Sequence, residues 1–444
     1  MASTYLQRTF GSSATNLNKM TFSFWTKVCN SSLGRMFSTD TADAQQFWIK
    51  LGSGKLNVVD YGYGIDVNTN RLFRDVSAWY HIVVSIDTTQ STASDRVKIY
   101  VNGVQETSFS AATYPSQNAT VNWNGNNINT IGNKKRTTNE NFDGLMSHVH
   151  FIDGTAYAPT AFGSTDSTTG EWQINTSPSV TYGTNGFFIL KDGNTITDSS
   201  PNSNNWTLGG GTLTKTEDNP SNVFATLNPL DVMKQSGGIY VPTFSNGNTT
   251  MSASATNNYQ TFGSIAVDTG KYYWEMKCPN GANGNLGSRI GLFHGDNKVH
   301  SGSYYYGADG YNIHQNGLIY TNGASTTYMA GFSNNIIITF ALDKTNGLSY
   351  VGANGYWADG NGNTNQSFAN AVAVETKLST TMPDKTTYAM FDVYGSTTQH
   401  INFGNGYFGT TAVSSAGTNA SGNGIFEYDV PTGYTALSTK GLNL

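Results

Sequence analysis

Three short stretches carry side chains whose types and spacing could do catalytic or metal chemistry. In Glu427-Tyr428-Asp429-Val430-Pro431-Thr432, two carboxylates stand two residues apart, as on a strand that projects acids into one cleft for glycoside hydrolysis. That pattern needs a further acid where Thr432 stands, so hydrolysis by this route is not expected. His148 and His150, on a strand, would share one face and could begin a zinc site. Zinc takes three or four protein ligands, and Asp153 is the near acid that could join them. A polar outer face opposite Val149 and Phe151 accounts for the same histidines without a metal. Asp359, Asn361 and Asn363 have the oxygen spacing of a calcium loop. Thr364, however, stands where an EF-hand requires Gly, and Asn370 lacks the closing bidentate carboxylate. No cofactor is called for. A surface calcium ion on those three residues is the alternative to a plain turn. Neither Gly-x-Ser-x-Gly nor His-Glu-x-x-His occurs, and the chain reads as non-enzymatic.

A fourth stretch suggests binding. In SGSYYYGADGYNIHQNG, Tyr304, Tyr305, Tyr306 and Tyr311 cluster between glycines, with Asn312 and His314 beside them. Tyrosine loses little side-chain entropy on contact, sugar rings stack on its face, and amides read hydroxyls. The competing reading puts alternate tyrosines into a sandwich core.

The elements that must position these groups are strands. In HIVVSID, Ile82, Val84 and Ile86 share one face, and in RVKIYVNG, Val97, Ile99 and Val101 do the same. Asn102-Gly103 then supplies residues that tolerate positive φ, the chemistry of a tight hairpin turn. The phrase recurs around Ile336, Ile338, Phe340 and Leu342, followed by Asn354-Gly355. Aromatics make up 13% of the chain and charged residues only 12%, with the polar remainder rich in Gly, Ser, Thr and Asn. Large buried rings with turn residues between them predict an all-β protein. Its organisation is two antiparallel β-sandwich, jelly-roll-like domains in series, residues 1–217 and 218–444. The least strand-like region, residues 192–250 with Pro201, Pro220 and Pro229, begins with residues 192–217, which read as an extended Pro/Asn/Ser-rich crossover joining the two domains.

The net charge of −5 argues against nucleic acid, since phosphate binding needs clustered cations. The best basic run, Lys134 to Arg136, reads as a solvated loop. Cys29 and Cys278 have no metal-ligand spacing. No apolar run is long enough to span a membrane, and the opening residues do not resemble a secretory signal.

Through MTFSFWTKV, SAWYHIVVSID, DRVKIYVNGV and FDGLMSHVHFIDGTAYAPTAFG, the N-terminal half resembles the laminin-G-like, concanavalin-A-like jelly roll. Through GKYYWEMKC, RIGLF, FALDKTNGLSYVGANGYW and INFGNGYF, the C-terminal half resembles a SPRY domain. The two in this order are similar to virion proteins of tailed bacteriophages. That resemblance implies synthesis in a host cytoplasm and a place on the virion surface as a tail-fibre or spike-type protein. It further implies other virion proteins as partners, host surface polysaccharide as a ligand reached through loops, and a homo-oligomer such as a trimer. Alternatives are a capsid-decoration or head-fibre subunit without host ligand and, third, a glycan-active enzyme.

Overall fold

A computed structural model describes residues 4–11, 13–29, 33–42, 45–134, 140–191, 193–232, 234–235, 238–254, 257–280, 287–295 and 309–444. Tyr304, Tyr305 and Tyr306 lie outside the described residues, as do Lys135 and Arg136 of the basic run. The chain divides into two compact units, Met1–Lys215 with Asn219–Ser221, and Thr216–Asp218 with Asn222–Leu444. It is all-β, with antiparallel sheets in each unit.

In the first unit an eight-stranded sheet, running from Phe109–Thr113 at one edge to Thr207–Gly210 at the other, faces a six-stranded sheet. Alternate residues of both close one core: Phe22 and Phe24 from Lys19–Val28, Phe37 from Leu33–Ala42, Phe47 from Gln45–Gly52. Their rings surround Trp123, with centroids 5.3 Å from Phe22, 5.6 Å from Phe37 and 5.9 Å from Phe47. Such edge-on and tilted ring contacts add to the large area each ring removes from water.

The expected crossover at 192–217 is corrected by this core. Trp206 is buried, stacks 6.5 Å from Trp123 and meets Phe187 edge-on at 5.0 Å. The next residues, Thr207–Gly210, pair with Tyr5–Thr9 as the edge strand. Asp198 ties the intervening turn down by accepting the N–H groups of Phe188 (2.8 Å) and Asn204 (2.7 Å). Pro201 therefore sits in a turn that returns the chain to the sheet, a role its fixed φ suits equally well.

In the second unit a seven-stranded sheet has the order Leu227–Val232, Asn258–Val267, Thr387–Tyr394, Ser288–His294, Gly310–His314, Leu318–Thr321, Ala324–Thr327. The facing sheet is centred on Lys271–Asn280 and Ile337–Asp343. Trp274 stacks on Phe340 at 4.6 Å in the core between them.

The repeated phrase is two hairpins of the same construction. Ile82, Val84 and Ile86 pair with Val101, Ile99 and Val97, and Ile338, Phe340 and Leu342 with Ala353, Val351 and Ser349. At each turn Asn and Gly take positive φ, 48° and 80° at Asn102-Gly103 and 51° and 84° at Asn354-Gly355, as a type I′ turn requires. The outer faces of these sheets are not simply solvated. Val83, Ile152, Phe162, Tyr182 and Phe188 form a second apolar layer behind the six-stranded sheet.

Candidate functional site

Gly310–His314 is a strand, so its side chains alternate between faces, and parity decides what the binding stretch can do. Tyr311 and Ile313 point into the core. The Tyr311 hydroxyl bonds Ser349 Oγ, which donates to Glu375 Oε1 at 2.7 Å. Tyr311 is therefore a core residue, and its expected place on a ligand surface is corrected. Asn312 and His314 share the opposite face.

That face carries a polar row across four strands. Gln260 stands opposite Asp392, Asp392 opposite Arg289, and Arg289 opposite His314. Arg289 Nη1 donates to Asp392 Oδ2 (2.5 Å) and to Asn258 Oδ1 (2.8 Å), and Gln260 Nε2 donates to Asp392 Oδ2 (2.8 Å). Arg289 and Asp392 are both buried, so the pair neutralises itself where water is excluded. His314 Nδ1 accepts the Asn316 N–H at 3.2 Å. Burial, with Arg289 adding to it, lowers its pKa to about 4, so at neutral pH the imidazole is uncharged and presents an Nε2–H donor. Tyr320, opposite Asn312 on the next strand, meets the His314 ring edge-on at 5.8 Å. On the other side of the row lies an apolar cluster of Phe262, Phe293 and Met390.

Asn312 stands between these two zones. It is fully buried, yet among the described residues neither its amide oxygen nor its amide nitrogen has a hydrogen-bond partner. Leaving such a group unsatisfied costs about 1–3 kcal/mol, and natural structures keep few of them. The row thus sets an amide able to donate and accept, a neutral N–H and a buried ion pair beside apolar rings.

The stretches read for catalysis or metal are occupied internally. Asp359 accepts the N–H groups of Asn361 (2.7 Å) and Asn363 (3.1 Å) and the Asn363 Nδ2 (2.8 Å), so its carboxylate closes a turn. Glu427 takes the Ser414 N–H at 2.8 Å and Asp429 the Thr418 N–H at 2.6 Å, each stapling a neighbouring loop. His148 sits at a bulge with φ 47°, and His150 is buried, its Nδ1 3.0 Å from the Tyr182 hydroxyl and its ring stacked 3.9 Å from Phe188. Asp153 accepts N–H groups from Thr15, Asn16, Asn124 and Asn185. Among the described residues no group of three or more His, Cys, Asp or Glu is placed to hold a metal.

A serine-histidine contact that the sequence hid is also inert. His81 Nε2 lies 2.9 Å from Ser23 Oγ, and Trp172 Nε1 donates to His81 Nδ1 at 2.9 Å. An indole N–H only donates, so Nδ1 must accept. Burial lowers the His81 pKa to about 3, and the neutral ring then carries its proton on Nε2, toward the serine. It cannot act as the base that a serine nucleophile needs. Glu275, in the middle of an otherwise apolar strand, was likewise missed. It accepts hydrogen bonds from Tyr273 Oη, Asn402 Nδ2 and the Glu427 and Tyr428 N–H groups, while burial, outweighing these donors, raises its pKa to about 7.

Residues 2–161 match the concanavalin A-like lectin/glucanases superfamily (Laminin_G_3). No curated protein matches the chain. Among solved structures it is similar to the SPRY domain of human HERC1, at 18% identity and TM-score 0.31, covering 39% of this chain and 96% of that one. It is also similar to the TRIM65 PSpry domain, at 10% identity and TM-score 0.29, covering 40% and 88%. A heptameric SAP-like pentraxin from Limulus polyphemus follows at 17% identity and TM-score 0.26, covering 35% and 72%.

Proposed function

We propose that this protein is a non-enzymatic, glycan-binding adhesive component of a tailed-phage virion surface, and that the outer face of the seven-stranded sheet takes a neutral sugar. The observation that carries the reading is the buried Asn312 amide, which has both a donor and an acceptor to offer and, among the described residues, no group that takes them. A carbohydrate hydroxyl supplies both complements at once. The concanavalin A-like lectin/glucanases match of the first unit agrees with sugar binding, and the non-enzymatic reading is supported by Asp153, Asp359, Glu427, Asp429, His81 and His150 each being held in internal hydrogen bonds. The virion setting rests on the order of the two sequence resemblances.

The test is a panel of immobilised bacterial polysaccharides probed with the full chain, beside Asn312→Val and His314→Ala. Retention on neutral glycans that falls at least tenfold in either variant is expected. Unchanged retention in both folded variants overturns the site, and sugar release overturns the non-enzymatic reading. Detecting the chain in purified particles by mass spectrometry tests the setting; absence from them refutes it.

A further inference from the structure

We propose that Asn322 is a built-in site of spontaneous deamidation, singled out because its amide is the unanchored member of three backbone-equivalent Asn-Gly turns. Asn102-Gly103, Asn322-Gly323 and Asn354-Gly355 each form a two-residue hairpin loop, flanked by the pairs Val101 with Val104, Thr321 with Ala324, and Ala353 with Tyr356. Their φ values agree closely: 48° and 80°, 44° and 77°, 51° and 84°. All three asparagines are exposed, so neither backbone shape nor access to water separates them.

Side-chain anchoring does. Asn102 Oδ1 accepts the His81 N–H at 2.8 Å, and Asn354 Oδ1 accepts the Ile337 N–H at 3.1 Å. Among the described residues Asn322 has no side-chain hydrogen-bond partner, and a Cβ placed on Gly323 would meet nothing within 4 Å. Deamidation needs the side-chain carbonyl carbon to swing onto the following backbone nitrogen. The Gly323 nitrogen, giving up its proton to solvent, bonds Asn322 Cγ, and the amide nitrogen leaves as ammonia. Water then opens the cyclic imide at either carbonyl, giving aspartate or isoaspartate. A held Oδ1 must first break its hydrogen bond; a free one need not.

The product changes a strand pair beside the candidate sugar face. Leu318–Thr321 carries Tyr320, which stands opposite Asn312. An isoaspartate lengthens the main chain of a turn that only two residues close, and it adds a negative charge at its tip. The consequence for ligand rests on the reading above; the chemistry does not.

The test incubates the full chain at mildly alkaline pH and follows each Asn-Gly peptide by mass spectrometry, with isoaspartate read by methyltransferase labelling. The Asn322 peptide should convert roughly fivefold or more faster than those of Asn102 and Asn354, the ratio equivalent to one net hydrogen bond of about 1 kcal/mol. In denaturant the three rates should converge. Equal rates in the folded protein, or no conversion at Asn322 while the unfolded chain reacts, overturn the proposal. Binding of the aged protein and of Asn322→Asp to the polysaccharide panel is a separate readout, so failure of the sugar reading leaves the site assignment testable by itself.

Discussion

Replacing Asn312 by Val should make the second unit more stable. The strand position favours a β-branched side chain, and Val adds little volume to a site that the Asn amide already fills. The gain comes from removing two buried polar atoms that have exchanged water for nothing, a penalty of about 1–3 kcal/mol. For a unit of this size each 1 kcal/mol moves the melting temperature by about 2–4 °C, so a rise of about 2–12 °C is expected. Because the chain has two units, a single global transition is not the right readout. Hydrogen exchange followed on peptides from Gly310–His314 and Ile337–Asp343 isolates the second unit, with urea midpoints as the scale. Unchanged or faster exchange, with a lowered midpoint, would refute the reasoning, since it would mean the amide is satisfied after all. Greater stability together with lost glycan retention is the signature of a group kept for function at a cost to the fold.

Three further outcomes follow from the same geometry. Trp206→Ala should cost the first unit about 3–5 kcal/mol, read from the urea midpoint; a loss under about 1 kcal/mol would restore the segment to a loose connector. Arg289→Leu should destabilise the second unit by about 3–5 kcal/mol because it strands a buried Asp392, whereas Arg289→Leu with Asp392→Leu should recover most of that loss in a double-mutant cycle. The first unit should weaken in acid: His81 is held near pKa 3 in the native state and titrates at 6.5 when unfolded, so between these values the unfolded chain binds a proton that the native ring refuses. Stability is thus full above about pH 6.5 and lost as pH falls toward 3, and His81→Asn should remove one proton from the slope of midpoint against pH.

Period-two alternation made the strands and their core faces legible, because burying one face requires it. Ile82, Val84 and Ile86 fall where that rule puts them. The same rule applied to Gly310–His314 separates Tyr311 from Asn312 and His314, but the tyrosines and glycines crowded around that run mask its alternation. Less legible were the second layers. Nothing local in the sequence says that Trp172 will cover His81, or that Phe162 and Tyr182 will close over His150. These contacts join residues far apart in the chain, so the groups looked solvated and available. The carboxylate hubs were hidden for the same reason. An acid within an apolar strand, such as Glu275, is the signal that could have exposed them, since a buried charge must be met by donors from elsewhere.

The two equivalent hairpins explain why the Asn322 turn is the exception. Trp79–Asp87 and Ile337–Asp343 lie inside their sheets, where a slip of one residue would turn every core side chain outward. Both are pinned at each end. Lys19 pairs with Asp87 at 3.2 Å and Lys271 with Asp343 at 2.9 Å, while at the far end the turn asparagine holds the N–H of His81 or Ile337. An aromatic ring from a later segment presses on each turn glycine as well: a Cβ on Gly103 would come 2.4 Å from Trp172, and one on Gly355 would come 2.9 Å from Tyr428. The hairpin around Asn322 ends its sheet, with Ala324–Thr327 as the last strand and exposed or half-buried along its length. Few core contacts depend on its register, so nothing has required its asparagine to be held. The freedom that makes that amide reactive therefore comes from its place at a sheet edge, and anchoring it should cost the protein nothing in stability.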